Sequence, residues 1–184
     1  MNKKSDVPVS VLIPCKDEES NIEKCLKSVV WAAETFIVDS QSSDESCKIA
    51  EELGAKVVQF HYAGGWPKKK NWALENLPFS YEWVLIVDAD EYLLPEAEDE
   101  IRSIVSNPDE KHSGYWINRR YFFLGKPLRH AYFPNWNLRL FKHKLGRYEK
   151  ITDLTTGSGD HEIHEHVLVQ GSTGKLNSIM DHHA

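Results

Sequence analysis

The stretch WVLIVDADE at residues 83–91 decides the fold class, because an unbroken apolar run ends abruptly in carboxylates. The run from Trp83 to Val87 predicts a strand buried on both faces, which is typical of a covered parallel sheet. In an open α/β sheet, ligands bind beyond the carboxyl ends of the strands. The carboxylates that follow Val87 are therefore predicted to lie at a ligand site.

Strands and helices alternate on either side of this stretch. Apolar, β-branched runs predict further strands at Val7–Pro14, Thr35–Asp39 and Lys56–Phe60. Helical periodicity and helix-start signals predict helices at 19–33, 42–54, 67–77 and 95–105, the second beginning in a capping box of Ser42 and Glu45. This alternation predicts βαβ units and a mostly parallel sheet. Beyond residue 114 it stops, and strands are predicted at Tyr115–Leu124, Asn137–Phe141, Glu162–Gln170 and Lys175–Met180.

The composition is that of an ordinary globular domain. The chain has 184 residues, a formal net charge of −6 and a hydrophobic fraction of 41%. No stretch approaches the ~18 consecutive apolar residues of a membrane span, and no apolar segment follows the basic residues near Met1. Three scattered cysteines suit a reducing compartment. We therefore expect a cytoplasmic protein.

Charge is distributed unevenly along the chain. Residues 115–150 carry nine basic and one acidic side chain together with ten aromatic residues, although the whole chain is acidic. This segment is a candidate anion-binding face. Interleaved basic and aromatic residues can hold single-stranded nucleic acid or an anionic lipid, and aromatic rings also stack on sugars.

Acidic residues follow three of the predicted strands. They occur at Asp17–Glu19, at Asp39 and at Asp88–Glu91, and the chain has neither a GxGxxG nor a P-loop motif. An acidic edge can hold a diphosphate only through a divalent cation, which reverses the local charge. Asp88 and Asp90, separated by one residue, are candidates for that task. The alternative is a solvated acidic loop before a helix, and for Glu96, Glu98 and Asp99 the helix start is the favoured interpretation.

Five segments, taken in order, resemble family 2 glycosyltransferases with the GT-A fold. They are VSVLIPCKDEESNIEKCLKSV (9–29), FIVDSQSSDES (36–46), KKKNWAL (68–74), VLIVDADEYL (84–93) and HEIHEH (161–166). The match covers essentially the whole chain and is closest to bacterial enzymes that build lipopolysaccharide or related envelope glycans. It implies an α/β GT-A domain over 1–184, with a nucleotide-sugar-binding half at 1–114 and an acceptor and catalytic-base half at 115–184. It also implies a further helical region in relatives, so that the chain is expected to be a short or truncated form.

The resemblance implies a donor site for a nucleoside-diphosphate sugar, UDP- or GDP-hexose, with Mn²⁺ or Mg²⁺. The implied nucleotide-sugar-binding residues are Pro14, Lys16, Glu18, Asp39, Lys70, Asp88 and Ala89. Asp39 would contact the base, although it could also approach the following helix as a cap, as Asp44 is expected to do. Lys70 would approach the diphosphate, and the alternative is a solvated first helical turn. Asp90 is the implied metal ligand of the DxD motif.

The resemblance places the remaining roles near the C-terminal end of the chain. Glu165 is the implied catalytic base, with Glu162 as the alternative, since an inverting transfer needs one carboxylate to deprotonate the acceptor hydroxyl. If the segment is extended, only one of the two can face the acceptor. His182 is the implied third contact at the metal or diphosphate, and His183 could align equally well.

These features together predict a metal-dependent, inverting transfer of a hexose to an envelope glycan or a lipid-linked acceptor. Segment 115–150 is expected to make a peripheral contact with the inner face of the cytoplasmic membrane, and no nucleic acid partner is expected. Two alternatives stay open. The chain could be a GT-A scaffold that binds nucleotide sugar without transfer, or a basic-aromatic module for nucleic acid or anionic lipid.

Overall fold

The computed structural model describes residues 6–123, 125–128, 133–150 and 166–183. In chain order the elements are β1 (Val7–Cys15), α1 (Ile22–Ser28), β2 (Ala32–Asp39), α2 (Ser46–Glu52), β3 (Lys56–Gln59), α3 (Lys69–Asn76), β4 (Trp83–Ile86), β5 (Glu91–Leu93), α4 (Glu96–Val105), β6 (Gly114–Phe123), β7 (Lys126–Pro127), β8 (Trp136–Lys142), β9 (Gly146–Tyr148), β10 (Val167–Val169) and β11 (Thr173–His183).

Most of these strands form one sheet, in the order β3–β2–β1–β4–β8–β6–β11–β5, with β7 on β6. β1 pairs in parallel with both β2 and β4, and β2 pairs in parallel with β3. The chain winds outward from β1 to β3 and then crosses to β4 on the other side of β1. A topological switch point therefore lies between β1 and β4, where this class of sheet binds nucleotides. The predicted α/β fold with a Rossmann-like parallel core is confirmed.

The second half of the chain extends the same sheet. β8 is antiparallel to β4 and to β6, whereas β11 runs parallel to β6 and carries β5 at the far edge. Four strand spacings separate β4 from β5 through the sheet, or about 19 Å if the sheet were flat. The linker 87–90 contains a turn, in which the Glu91 N–H donates to the Asp88 carbonyl over 2.9 Å. Because so short a linker cannot span that distance, the sheet curls and returns β5 to the end of β4.

Helices cover both faces of the parallel core. On one face, α4 buries Ile101 against β1, and α1 buries Ile22 in the same core cluster. On the other face, Leu74 of α3 packs in a cluster with Leu12 and Val84. Each fully buried aliphatic side chain contributes roughly 1.5–3 kcal/mol, so these faces hold the parallel strands in place. Among the described residues no helix is long and apolar enough to cross a lipid bilayer.

Several element bounds differ from the prediction. α1 spans only Ile22–Ser28, because the preceding residues form a loop with Asp17 at a positive φ of 52°. Side chains of the next loop accept from the N–H groups of that loop: the Ser46 hydroxyl accepts from Glu18 over 2.7 Å, and the Asp44 carboxylate from Glu19 over 3.0 Å. These bonds replace the helical turn that periodicity predicted at 19–21.

The predicted capping box of Ser42 and Glu45 is wrong. α2 begins at Ser46, and the Ser42 hydroxyl donates to the Asp39 carboxylate instead of accepting from the helix. Asp44 caps the helix start as expected, since its carboxylate accepts from the Ser46 N–H over 3.0 Å. The polar loop 39–46 is thus closed by its own side chains before the helix begins.

Candidate functional site

A cavity of about 480 Å³ opens at the carboxyl ends of β1 and β4. Eight of the predicted site residues line it: Pro14, Lys16, Glu18, Lys70, Asp88, Ala89, Asp90 and His182. They come from the ends of β1, β4 and β11 and from the start of α3. The fold therefore brings together residues that are up to 168 positions apart in the sequence.

Asp39 ends β2 beside this cavity but does not belong to the described residues that line it. Its side chain is fully buried and accepts both the N–H and the hydroxyl proton of Ser42, the former over 2.8 Å. Burial alone would raise the pKa of Asp39, but the Ser42 bonds hold it below its ordinary value. Asp39 is therefore a charged group that organises the loop after β2.

The loop after β1 presents Lys16 and Glu18 at the mouth of the cavity. Lys16 Nζ donates to the Gln41 carbonyl over 2.7 Å and joins the first two loops. The Glu18 carboxylate accepts from the Asn21 amide over 2.9 Å. Burial, together with the charge of Asp90 among others, raises the pKa of Glu18 above its usual value. Glu18 thus lies near the carboxylate of Asp90, whose negative charge disfavours ionisation of Glu18.

The first turn of α3 supplies two of the cations that line the site. Lys69 and Lys70 are only 5% and 8% exposed, which excludes the solvated helical turn that the sequence left open. Lys69 Nζ donates to the Cys15 carbonyl over 3.1 Å, at the end of β1. Lys70 Nζ lies 3.1 Å from Asp88 Oδ1. The next residue, Asn71, pairs with both backbone groups of Tyr148 and fixes α3 against β9.

Asp88 belongs to a buried network with Arg139 and Glu91. Arg139 Nη2 lies 2.6 Å from Asp88 Oδ2 and 2.8 Å from Glu91 Oε1. The same Glu91 oxygen accepts from Arg119 over 2.9 Å, and the other accepts from the Asp88 N–H over 2.9 Å. Glu91 is fully buried and begins β5, whereas Arg139 lies in the middle of β8. The network therefore ties the DxD loop to β5, β6 and β8.

This network sets the charge of Asp88. Burial would raise the pKa of the carboxyl, but the guanidinium of Arg139 and the ammonium of Lys70 hold it well below its ordinary value. Burial likewise acts to lower the pKa of Arg139, and the carboxylates of Asp88 and Glu91 raise it well above. Asp88 is thus an ionised carboxylate held in one orientation, with lone pairs left to accept from a ligand hydroxyl.

Asp90 and His182 meet at the same end of the sheet. His182 Nδ1 lies 3.4 Å from Asp90 Oδ1. The neighbouring His183 points elsewhere, since its ring stacks on Phe122 with centroids 4.4 Å apart and its Nε2 contacts the Tyr92 hydroxyl. Of the two histidines that the sequence left open, the fold brings His182 to Asp90.

The pair of Asp90 and His182 fits a divalent cation. Nδ1 of His182 is buried and lacks a hydrogen-bond partner in the described part of the chain. A buried ring nitrogen of this kind, 3.4 Å from a carboxylate oxygen, is a ready metal donor. The described residues contain no group of three or more His, Cys, Asp or Glu that could hold a metal. Among the described residues, a cation here would have Asp90 and His182 as ligands, and substrate oxygens or water would add others.

The predicted bases Glu165 and Glu162 lie outside the described residues. Nothing in the structure tests their roles, and the choice between them stays a prediction.

Sequence reasoning missed Glu91, Arg139 and Arg119. Glu91 was grouped with an acidic loop, although it begins a strand that is buried at the sheet edge. A signal for Arg139 was available, because it interrupts the apolar strand Asn137–Phe141, where an arginine needs a buried carboxylate partner. The sequence alone could not say which carboxylate that is.

Much of the positive charge in 115–150 is used inside the protein. Arg120 forms two bonds with the Asp181 carboxylate, over 2.7 and 2.8 Å. Lys142 lies 3.0 Å from Glu82, and Arg147 donates to two backbone carbonyls over 2.6 Å. Together with the bonds of Arg119 and Arg139 described above, these pairs leave the segment less basic at its surface than its composition indicates.

A Rossmann-like half sheet with carboxylates at its switch point, joined to a mixed sheet that completes the cavity, is the architecture of the GT-A fold. The family model "Glycosyl transferase family 2" matches residues 10–160. The chain belongs to this family of glycosyltransferases.

Individual relatives agree with the family. An uncharacterized glycosyltransferase of Rickettsia conorii is 34% identical over 160 residues, which cover 85% of this chain and 55% of that protein. The lipopolysaccharide core biosynthesis glycosyltransferase LpsC of Rhizobium meliloti is 30% identical over 189 residues, covering 94% and 61%. The chain therefore spans between half and two thirds of the length of these relatives. The structure of S. aureus TarS 1-349 in complex with UDP superimposes with a TM-score of 0.55 at 24% identity, covering 74% of this chain and 47% of that one, which supports the fold.

Proposed function

We propose that this domain transfers a hexose, with inversion, from a nucleoside-diphosphate sugar to an envelope glycan or lipid-linked acceptor, with a divalent cation. The observation that carries the proposal is the pairing of two carboxylates at the switch point. Asp88 is held ionised by Arg139 and Lys70, and Asp90 lies beside the unpartnered nitrogen of His182. In this arrangement a hydrogen-bond acceptor for ribose hydroxyls, Asp88, lies beside two candidate metal ligands, Asp90 and His182.

The roles follow from the positions. Asp88 accepts from the ribose, Lys70 and Lys69 lie where a diphosphate would enter, and Asp90 with His182 holds the cation. When bound, the cation stabilises the negative charge of the departing nucleoside diphosphate. Glu165, or alternatively Glu162, takes the proton of the acceptor hydroxyl. The imidazole favours Mn²⁺ over Mg²⁺, because magnesium prefers oxygen ligands throughout.

The acceptor class rests on the relatives. LpsC carries lipopolysaccharide core biosynthesis in its name, which makes a core glycan the first acceptor to consider. Location in the cytoplasm and contact of 115–150 with the membrane stay predictions.

Calorimetric titration of UDP and GDP, each with Mn²⁺, with Mg²⁺ and without metal, tests the proposal. We expect saturable binding of one nucleotide that depends on the metal and is tighter with Mn²⁺. Binding of neither nucleotide by the folded chain would contradict it. Binding without any transfer to a lipopolysaccharide core oligosaccharide would favour the scaffold alternative.

A further inference from the structure

The cavity has a wall that the donor proposal does not use. Its carboxylates come from the ends of β1 and β4, whereas aromatic side chains line it from β6, β8 and β9: Trp116, Tyr121, Trp136 and Tyr148. Tyr121 and Tyr148 adjoin the donor groups, since the Tyr121 ring lies 4.7 Å from that of His182 and Lys70 Nζ lies 5.2 Å from the Tyr148 ring. The two tryptophans extend this wall along β6 and β8.

The tryptophans form a pair on adjacent strands. In the β6–β8 register Trp136 lies opposite Asn118, two residues from Trp116. Trp116 precedes Tyr121 by five residues, or on the order of 15 Å along a strand. Trp136 lies opposite Asn118, three residues or about 10 Å along the strand from Tyr121, so a ligand that reaches Trp116 extends beyond the proposed metal site.

Both indoles are held in place before any ligand binds. Trp116 Nε1 donates to Thr173 Oγ1 over 3.1 Å, and its ring packs against the core cluster that contains Leu138. The ammonium of Lys175 lies 4.4 Å from the centroid of the Trp136 ring. Fixed aromatic rings bind with little loss of side-chain entropy. Two half-buried tryptophans in a cavity wall are thus a preformed apolar platform.

The chemistry of this wall favours a carbohydrate over a nucleic acid. An indole ring presents an apolar face with one polar N–H, which matches the apolar C–H face and polar edge of a pyranose. A nucleic acid would need several cations free to follow its phosphates. Here Arg120 and Lys142 are already paired with Asp181 and Glu82.

We propose that Trp116 and Trp136 form a carbohydrate subsite that stacks on a sugar ring of the acceptor glycan. The proposal rests on the transferase function above and names its acceptor side. The pyranose could belong to the donor or to the acceptor, and the separation along β6 favours a ring of an extended acceptor. Lys175 adds a positive charge beside Trp136, which favours a glycan with acidic substituents.

Three variants test the subsite: Trp116→Leu, Trp136→Leu and the matched control Trp72→Leu. Trp72 is also half-buried, but it lies on α3 against Phe60 and does not line the cavity. The probes are UDP, UDP-glucose, a core oligosaccharide released from lipopolysaccharide by mild acid, and a uridine oligoribonucleotide. Each is titrated calorimetrically, the oligosaccharide both with and without UDP and Mn²⁺, after circular dichroism has confirmed folding.

We expect Trp116→Leu and Trp136→Leu each to weaken oligosaccharide binding about tenfold, as truncation of an aromatic anchor does. Their affinity for UDP should stay within about twofold of wild type, and Trp72→Leu should leave both affinities unchanged. Because Trp116 packs against the core, Trp136→Leu keeps the test valid if Trp116→Leu does not fold.

Unchanged oligosaccharide affinity in the variants, or none in the wild-type chain, overturns the subsite. So does a loss confined to the oligoribonucleotide, or an equal loss of UDP affinity. A loss confined to UDP-glucose also overturns the proposal, because the tryptophans would then contact the donor hexose and not the acceptor glycan. If the wild-type chain binds the oligosaccharide but neither UDP nor GDP, the donor proposal fails while the tryptophan comparison still decides the subsite.

Discussion

Two carboxylates three positions apart, Asp88 and Glu91, show how much a residue's role depends on its partners. Both belong to the motif DADE, yet Asp88 lines the cavity and Glu91 is fully buried behind it. Arg139 bridges the two through one nitrogen. Removing one partner of such a buried pair leaves an uncompensated charge, which typically costs about 3–5 kcal/mol. Glu91 is therefore expected to influence a ligand through Asp88 and Arg139, whereas Arg139 also lines the cavity itself.

Arg139→Met should weaken UDP binding about 10- to 100-fold, because Asp88 loses the group that orients it. Arg139→Lys should recover part of that affinity, since it restores the charge but cannot bridge two carboxylates. Arg120→Met is the control, because Arg120 forms an equally close pair with Asp181 away from the cavity. Titration of UDP separates the two, and equal losses in both variants would show that only general stability is affected.

Asp90→Ala and His182→Ala should each abolish the dependence of UDP binding on Mn²⁺, because the pair supplies the proposed protein ligands of the cation. His183→Ala should keep that dependence, since its ring lies against Phe122 and Tyr92. Titrations with and without Mn²⁺ measure the difference. If His183→Ala removed the dependence and His182→Ala did not, the assignment of the two histidines would be reversed.

Glu165→Gln should leave UDP binding intact and reduce transfer by about 10²–10⁴-fold, because general-base catalysis contributes that much. Glu162→Gln should change transfer little. Sugar transfer from UDP-glucose to core oligosaccharide, followed by chromatography, provides the measurement. A loss in Glu162→Gln alone would move the base to that residue.

At the scale of elements, a second buried carboxylate ties the opposite ends of the parallel strands. Glu34 of β2 is 5% exposed at its side chain and accepts from Ser10 of β1 over 2.5 Å and from Lys56 of β3 over 3.1 Å. It also accepts from the Ser80 N–H over 2.7 Å, just before β4. One side chain therefore joins the strands whose other ends form the site.

Glu34 should make stability depend on pH. Burial alone would raise the pKa of Glu34, but the hydrogen bonds from Ser10 and Ser80 lower it by more. The pKa in the folded state therefore lies below the pKa in the unfolded state. Its contribution is thus complete above the unfolded pKa of about 4.3 and is lost as the pH falls through the folded value. Glu34→Gln should cost about 2 kcal/mol at neutral pH, and the difference from wild type should shrink as the pH falls below the unfolded pKa of about 4.3.

Urea unfolding at several pH values measures this effect. Glu23→Gln is the control, because Glu23 pairs with Lys27 at an exposed site, with 58% of its side chain accessible. Such a surface pair is worth little, and its removal should change the unfolding free energy by less than about 0.5 kcal/mol. A constant difference between Glu34→Gln and wild type across the pH range would contradict the linkage.

The parallel half of the fold could be predicted from sequence because its signals are local. Apolar runs such as Trp83–Val87 identify strands wherever they pair. β5 gave no such signal: Glu91–Leu93 is three residues long, and its pairing with Met180–His182 depends on the curl of the whole sheet. The predicted last strand ends at Met180, before His182, whereas β11 continues to His183 and includes His182.

The candidate site likewise contains residues that could be predicted from sequence and contacts that could not. Asp88, Asp90 and His182 could be proposed because their chemistry and order match a family pattern. The partners of Arg139 could not be proposed, because they are 51 and 48 positions away and the sequence offers several carboxylates for one buried arginine. The fold topology determines which residues distant in sequence come into contact, and this topology could not be predicted from the single sequence.

At the scale of the whole molecule, the site crosses the junction between the parallel strands and the mixed extension. β4 pairs with β8 along three residues, and Arg139 of β8 reaches Asp88 beyond β4. His182 of β11 reaches Asp90 across the curled sheet. A nucleotide with its cation would therefore contact both parts at once, and its binding energy would oppose separation of the two halves.

Thermal unfolding should report this coupling. A ligand that binds only the folded state at 100 times its dissociation constant stabilises it by about 2.7 kcal/mol, which raises the melting temperature of a domain of this size by about 5–10 °C. We expect that rise with UDP and Mn²⁺ together, a smaller one with UDP alone, and none in Asp90→Ala beyond the UDP-only value. Calorimetric scans measure the shift, and a single cooperative transition that moves as a whole is the result expected if the ligand joins the halves. Two transitions, of which only the first moves, would show instead that the parallel core binds the nucleotide by itself.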